Sequence, residues 1–138
     1  MTVPVEDWIC EVERWIGTPV RHRGTGVAGV DCSGLLIGAA RTFGVEVERG
    51  FLNGSIPSGE DVTRAVAAYA SELPALAAGC VVQMFLGREP RHLGVYVGSG
   101  QLVHAKGRRK RVVRTLLPSR YHRLWWPNWL DERKTEET

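Results

Sequence analysis

Apolar residues in the first half of the chain recur at helical spacing. One such pattern, ended by Gly17-Thr18-Pro19, predicts a helix over residues 5–16. A second pattern, ended by Gly44, predicts a helix over residues 32–43. Ser58 followed by Asp61 is typical of a helix N-cap and predicts a third helix through about residue 70. The first pattern consists of Val5, Trp8, Ile9, Val12, Trp15 and Ile16.

Beyond Pro74 the pattern changes to short apolar segments. The segments "CVVQMFL", "HLGVYVG", "QLVHAKG" and "RVVRTL" are rich in branched and aromatic residues, and Gly, Pro or charged turns separate them. This alternation is typical of an antiparallel meander. Helices followed by strands predict an α+β fold in which the N-terminal helices pack on an antiparallel β-sheet.

Length and composition predict a single folded domain. The chain has 138 residues, of which 43% are hydrophobic and 24% charged. We expect the domain to span residues 1–130, with a polar tail over residues 131–138. The longest uncharged stretch contains Pro74 and Gly79, so no membrane span is predicted. The first residues include acids and lack a signal-peptide pattern, so we expect no signal peptide and synthesis in the cytoplasm.

Cysteine usage separates one thiol from the other two. The chain has three cysteines at wide spacings, which fits neither a disulfide framework nor a CxxC metal site. Cys10 and Cys80 are predicted to be small core residues. Cys32, in "VDCSGL", lies at the predicted start of the second helix. A thiol reacts as its thiolate and needs a helix N-terminus or a cationic partner, so Cys32 is the candidate nucleophile.

Two of the four histidines are candidate partners for this thiol. His92 and His104 lie in consecutive predicted strands, whereas His22 and His122 fall in polar, irregular surroundings. A tight turn at residues 99–100 would place His92 and His104 on opposite faces of the sheet. A histidine pair on one face therefore requires a wider loop or a β-bulge near "GSG".

Three segments resemble the NlpC-type papain-like cysteine peptidases of bacterial cell-wall turnover. They are "WIGTPVRHRGTGVAGVDCSGL", "LPALAAGCVVQMF" and "RHLGVYVGSGQLVHAKG", which together cover most of residues 14–107. The resemblance implies a papain-like fold with Cys32 as nucleophile, His92 as general base and acid, and His104 orienting His92. It requires no metal and no other cofactor. It also implies cleavage of an amide bond in peptidoglycan stem peptides, between a γ-linked D-glutamate and the following diamino acid.

The segment "PVRH" and the tryptophan-rich end resemble versions of this family from phage tails and gene transfer agents. This likeness adds a tail or cell-wall assembly protein as a candidate partner beside the peptidoglycan peptide. It also suggests a virion as one route by which the protein reaches the cell wall.

The chain departs from the family pattern at two positions. Val20 stands where the family often has a tyrosine, and Cys80 where it often has an aspartate. Val20, His22, Asp31 and Ser33 are the candidates for contact with the substrate or the oxyanion. Because Val20 has no hydroxyl, His22 or a backbone amide would have to replace the tyrosine. We expect Asp31 mainly to cap the helix, since an acid beside a thiolate raises its pKa.

Other functions compete with the peptidase hypothesis. In a catalytically inactive structural or assembly protein, Val20 and Cys80 would reflect the loss of catalytic function. A related thiol fold could instead perform acyl transfer or lipid amide hydrolysis. "GTGVAG", residues 24–29, satisfies a dinucleotide-binding pattern but lacks the buried strand that should precede it. Zinc bound by Cys32, His92 and His104 would lack a fourth ligand.

Two further segments have several possible roles. "KGRRKRVVR", residues 106–114, contains six Lys or Arg in a chain of net charge +3. It is either a solvated turn or a site for an acidic protein, an anionic wall polymer or nucleic acid. Nucleic acid is the weaker interpretation because no stacking platform lies nearby. The three tryptophans of "YHRLWWPNWL" could close the core, contact a partner or stack on sugar rings.

Overall fold

Helices precede the main sheet, in the order expected for an α+β protein. The computed structural model describes residues 2–49 and 57–132. The larger sheet has six strands in the order β3-β8-β4-β5-β6-β7, and each neighbouring pair is antiparallel. The α+β prediction is therefore confirmed. The elements are α1 (Val5–Arg14), β1 (Thr25–Gly26), β2 (Gly29–Val30), α2 (Cys32–Arg41), α3 (Gly59–Ala67), β3 (Ala70–Leu73), β4 (Val81–Leu86), β5 (Glu89–Gly98), β6 (Gln101–Lys106), β7 (Arg111–Leu116) and β8 (Arg123–Pro127).

Helix α2 is buried along nearly its whole length. Residues 33–40 are all buried, and the helix contacts α1, the β1–β2 hairpin and strands β5 and β6. A Cβ atom on Gly34 would lie 1.7 Å from the carbonyl oxygen of Gly24, so only glycine allows this close approach. Residues 24–29 thus form a small hairpin packed on α2, in which Gly24 and Gly29 allow close packing and Gly26 faces open space. The start of α2, with Cys32, is held firmly by its surroundings.

A β-bulge sets the register between β5 and β6. The turn residues Ser99 and Gly100 have φ angles of 53° and 72°, as in a two-residue type I′ turn. Gly98 pairs with Gln101, but the next pair is Tyr96 with Leu102, so Val97 is the extra residue. The bulge required by the sequence argument is confirmed.

The tryptophan-rich end closes the core against the first helix. Trp125 and Trp129 are 4% and 7% exposed. The ring of Trp129 lies 5.2 Å from that of Trp8 in an edge-on contact, and 5.8 Å from that of Tyr69 in a stacked one. The core role is confirmed for these two tryptophans, and Trp126 is half-buried beside them.

The described helices are shorter than the apolar patterns predicted. They end at Arg14, Arg41 and Ala67, two to three residues before the expected positions. Trp15, Phe43 and Tyr69 lie beyond these helix ends and still pack on the core, whereas Ile16 is exposed. Part of the loop before α3, residues 50–56, and most of the predicted tail, residues 133–138, lie outside the described residues.

One of the two core cysteines was predicted wrongly. Cys80 is fully buried, as expected, but Cys10 is exposed. A helix turns by about 100° per residue, so Cys10 lies on the side of α1 opposite the buried Trp8 and Val12.

None of the helices within residues 2–49 and 57–132 is long and apolar enough to cross a membrane.

Candidate active site

The three predicted catalytic residues line one cavity of about 800 Å³, which we call the Cys32 cavity. Cys32 comes from the start of α2, and His92 and His104 come from β5 and β6. Val20 and Asp31 also line this cavity. The structure therefore brings together most of the residues singled out from the sequence.

Two predicted site residues lie elsewhere. Ser33 is 6% exposed, is not among the residues that line the cavity, and hydrogen bonds to Cys32. His22 is exposed and does not line the cavity. A backbone amide is consequently better placed than His22 to replace the hydroxyl that Val20 lacks.

Burial dominates the environment of the Cys32 thiol. Removal from solvent raises the pKa of Cys32 above its ordinary value, and the negative charge of Asp31 raises it further. Hydrogen bonds from the backbone of Leu93 and from Ser33 lower this pKa, but less than burial raises it. Burial therefore outweighs the hydrogen bonds at the helix start, and the pKa of the resting thiol is raised rather than lowered.

A chain of hydrogen bonds runs from His92 into the sheet. Nε2 of His92 lies 2.8 Å from Nδ1 of His104, and Nε2 of His104 lies 3.0 Å from Oγ1 of Thr115. The bulge at Val97 explains the contact, because it leaves His104 across from Gly94, two positions from His92 on the same face. The two histidines are thus diagonal neighbours.

Glycine at position 94 leaves room for this contact. A Cβ atom there would lie 3.0 Å from Cβ of His104 and 3.0 Å from Cε of Met84. A larger residue would therefore push His104 away from its place beside His92.

Both histidines are uncharged at neutral pH. Burial, followed by the charge of His104, lowers the pKa of His92 to about 4. Burial, followed by the charge of Lys106, lowers the pKa of His104 to about 4. Neutral imidazoles can accept a proton, so His92 is available as a base over the whole neutral range.

Asp31 organises the helix start as predicted and has an ion-pair partner that was not predicted. Its Oδ1 accepts a hydrogen bond of 2.7 Å from the amide of Gly34, which confirms the capping role. Its Oδ2 accepts one from the amide of Arg23. The guanidinium of Arg49 donates to both carboxylate oxygens of Asp31, at 2.8 and 2.7 Å. This ion pair offsets the negative charge that lies beside the thiol.

Thr115 and Arg49 are two residues near the site that the sequence did not predict. Thr115 could have been found from strand alternation, because the β6–β7 register places it on the same face as His104. Arg49 lies in an irregular segment with no periodicity, and nothing in its neighbours indicates Asp31 as its partner. Within the described residues, no group of three or more His, Cys, Asp or Glu side chains is arranged to hold a metal ion.

A cysteine at the start of a buried helix, facing histidines on an antiparallel sheet, defines the papain-like class of α+β proteins. A family model adds the narrower assignment. The model of the NlpC/P60 family matches residues 17–131, so the chain belongs to the NlpC/P60 family. A comparison with curated proteins found no match.

Solved structures of this family share the fold. The NlpC/p60 domain of the peptidoglycan hydrolase SagA is similar with a TM-score of 0.66 and 20% identity, over 89% of this chain and 98% of that one. A family protein from Bacillus cereus has a TM-score of 0.70 and 20% identity, over 95% of this chain and 42% of that one. RipD from Mycobacterium tuberculosis is a non-catalytic domain adapted to peptidoglycan binding. It has a TM-score of 0.63 and 16% identity, over 88% of this chain and 95% of that one.

Proposed function

We propose that the protein is a cysteine peptidase that hydrolyses amide bonds in peptidoglycan stem peptides. The observation that carries this proposal is the shared cavity, which Cys32, His92, His104 and Thr115 all line and in which the last three are joined by hydrogen bonds. Membership of the NlpC/P60 family and the likeness to the SagA hydrolase domain support the substrate class.

One arrangement of protons leaves His92 ready to act as a base. If Nε2–H of His92 donates to Nδ1 of His104, then His104 carries its proton on Nε2 and donates it to Thr115. Nδ1 of His92 is then an unprotonated acceptor. His104 and Thr115 would fix the orientation and tautomer of His92, as the third member of a catalytic triad does.

The reaction would begin with transfer of the Cys32 proton to His92. The sulfur attacks the amide carbon, and the carbonyl oxygen takes up the negative charge. Backbone amides in the first turn of a helix have no intrahelical partner, so the amide of Cys32 is the candidate donor to this oxyanion. His92 then gives its proton to the leaving amine. Water, deprotonated by His92, hydrolyses the thioester and restores the thiol.

The resemblance noted in the sequence makes the bond between a γ-linked D-glutamate and the following diamino acid the first candidate. Association with a phage tail or gene transfer agent rests on the sequence likeness of "PVRH" and the tryptophan-rich end. The buried positions of Trp125 and Trp129 leave less of that end available to such a partner.

Digestion of purified peptidoglycan, followed by mass spectrometry of the released muropeptides, tests the proposal. The native protein should shorten stem peptides, and Cys32→Ala and His92→Ala should lower the rate at least ~100-fold. Cys10→Ala is the matched control, because Cys10 is an exposed thiol on α1. Products that are unaffected by Cys32→Ala would overturn the proposed mechanism.

A non-catalytic wall-binding protein is the second candidate. The likeness to RipD and the absence of a hydroxyl at Val20 favour it. Such a protein would bind peptidoglycan equally well with and without Cys32 and would release no muropeptide.

A further inference from the structure

Cations line much of the Cys32 cavity beyond the reactive groups. Lys106 ends β6, Arg108 lies in the turn after it, and Arg120 precedes β8; all three line the cavity. They come from two separate parts of the chain. The basic segment 106–114 therefore contributes only some of its cations to the cavity.

The positive charge of these residues is not offset from within the described part of the chain. Asp31 is the one carboxylate among the lining residues, and Arg49 already pairs with it. Neither Lys106, Arg108 nor Arg120 forms an ion pair with a described residue. A ligand in the cavity would meet a net positive surface.

Arg120 connects the Cys32 cavity to a smaller one of about 380 Å³, which we call the side cavity. The side cavity is lined by Phe85, Gly87, Arg88 and Arg120, and it shares Phe85 and Arg120 with the Cys32 cavity. The guanidinium carbon of Arg120 lies 4.8 Å from the centre of the Phe85 ring. Stacking on a ring restrains a guanidinium while its N–H groups remain free to bind a carboxylate in a bidentate manner.

We propose that Arg120, with Lys106, Arg108 and Arg88, binds free carboxylates of the substrate peptide next to the bond that is cut. The proposal rests on the proposed function and deepens it. The protein would prefer stem peptides with free carboxylates to those in which the same groups are carboxamides.

An acidic peptide fits this surface better than a nucleic acid does. Binding of single strands uses exposed aromatic faces on which bases stack. The face of Phe85 is covered by Arg120, and its ring also meets His122 edge-on at 5.8 Å. The Cys32 cavity offers cations in a space of peptide size, and Phe85, the one Phe, Tyr or Trp among its lining residues, carries Arg120 on one face.

Binding to the inactive variant Cys32→Ala tests the preference without turnover. The probes are two fluorescein-labelled stem tetrapeptides that differ only in having free carboxylates or carboxamides, and the readout is fluorescence anisotropy at low salt. We expect the free-carboxylate peptide to bind at least ~5-fold more tightly, with a difference that shrinks as salt rises.

Arg108, which lines the Cys32 cavity, and its neighbour Arg109, which does not, provide a matched pair of variants. In the Cys32→Ala background, Arg108→Gln and Arg120→Gln should each reduce the preference by ~3-fold or more. Arg109→Gln removes the same charge from the adjacent position, which does not line either cavity, and should leave the preference unchanged.

Equal binding of the two peptides would overturn the inference. An equal effect of Arg108→Gln and Arg109→Gln would also overturn it, because net charge alone would then explain the binding. So would tighter binding of a single-stranded oligonucleotide than of the acidic peptide. Failure of the proposed function is a separate result, since it would show in the muropeptide digest and not in this binding assay.

Discussion

Around Cys32, burial favours the uncharged forms of the thiol and of both histidines. Burial raises the pKa of the thiol and lowers the pKa of both histidines. A proton can therefore move from Cys32 to His92 without any change in the charge of the site. In the proposed mechanism the orientation of His92 is decisive, and the hydrogen bonds through His104 to Thr115 would fix it.

Removing the hydroxyl of Thr115 should impair catalysis without weakening binding. Thr115→Val leaves Nε2 of His104 without its partner and loosens the tautomer of the histidine pair. We expect kcat for muropeptide hydrolysis to fall roughly 10-fold with KM unchanged. Thr115→Ser, which keeps the hydroxyl, should restore most of the rate. A rise in KM alone would assign Thr115 to substrate contact instead.

Arg49 should tune the thiol through Asp31. Arg49→Gln removes the cation that pairs with the Asp31 carboxylate, so that the nearby negative charge raises the pKa of Cys32 further. The pH dependence of Cys32 alkylation should shift to higher pH, and Arg49→Lys should shift it less. Arg41→Gln is the control, because Arg41 pairs with exposed Glu46. An unchanged profile in Arg49→Gln would contradict this role.

At the scale of single residues, the sequence predicts the candidate nucleophile and the two candidate histidines. Cys32 is marked by its place at a helix start, and the histidines by their place in strands. Thr115 and Arg49 are not marked, because their roles depend on a register and on a long-range ion pair. The raised pKa of Cys32 also depends on burial, which only the assembled fold determines.

Among the elements, α3 shows how a local signal sets a helix boundary. The hydroxyl of Ser58 accepts a hydrogen bond from the amide of Asp61, and the Asp61 carboxylate accepts one from the amide of Ser58. This capping box is the one expected from the sequence, and it lowers the pKa of Asp61.

Loss of the Ser58 hydroxyl should lower the stability of the protein without changing the reaction rate. Ser58→Ala should lower the free energy of unfolding in urea by about 1 kcal/mol, while the rate at Cys32 stays unchanged. Ser71→Ala, which removes an exposed hydroxyl bonded to Asn128, should have a much smaller effect on stability. If both variants lower the free energy of unfolding by the same amount, the capping box stabilises the protein no more than an exposed hydroxyl does.

Strands β4 to β7 follow from sequence alternation, whereas β3 and β8 do not. The β3 segment "ASEL" pairs with β8 across more than fifty residues of chain and has little apolar pattern of its own. No strand is predicted there, and the predicted third helix runs to about residue 70, where β3 begins, because local propensity carries no information about that distant pairing. Elements defined by local periodicity are predictable, and those defined by a distant partner are not.

For the whole molecule, the buried histidines should couple stability to acid. Unfolded histidine titrates near pH 6.5, and both folded histidines titrate at about 4. The unfolded chain therefore binds more protons between these values, so the stability that the two histidines contribute is fully present well above pH 6.5 and falls as the pH drops towards 4. The loss for one histidine taken alone should reach roughly 2.5 kcal/mol by pH 4.5.

Urea unfolding at pH 7 and pH 4.5 measures this coupling. Carboxylates also titrate in this range, so the double variant His92→Gln/His104→Gln serves as the reference. The native protein should lose more stability than the double variant between the two pH values. Equal losses would show that the histidines are not held neutral by the fold.

The most direct test of the account is the rate of Cys32 alkylation by iodoacetamide between pH 4 and pH 10, with Cys10 replaced by serine. If His92 takes the thiol proton, the rate should show a plateau between about pH 5 and pH 8 that is absent in His92→Ala. The variant should react only as the pH approaches the raised pKa of Cys32. Superimposable profiles for the two proteins would contradict the pairing of Cys32 with His92.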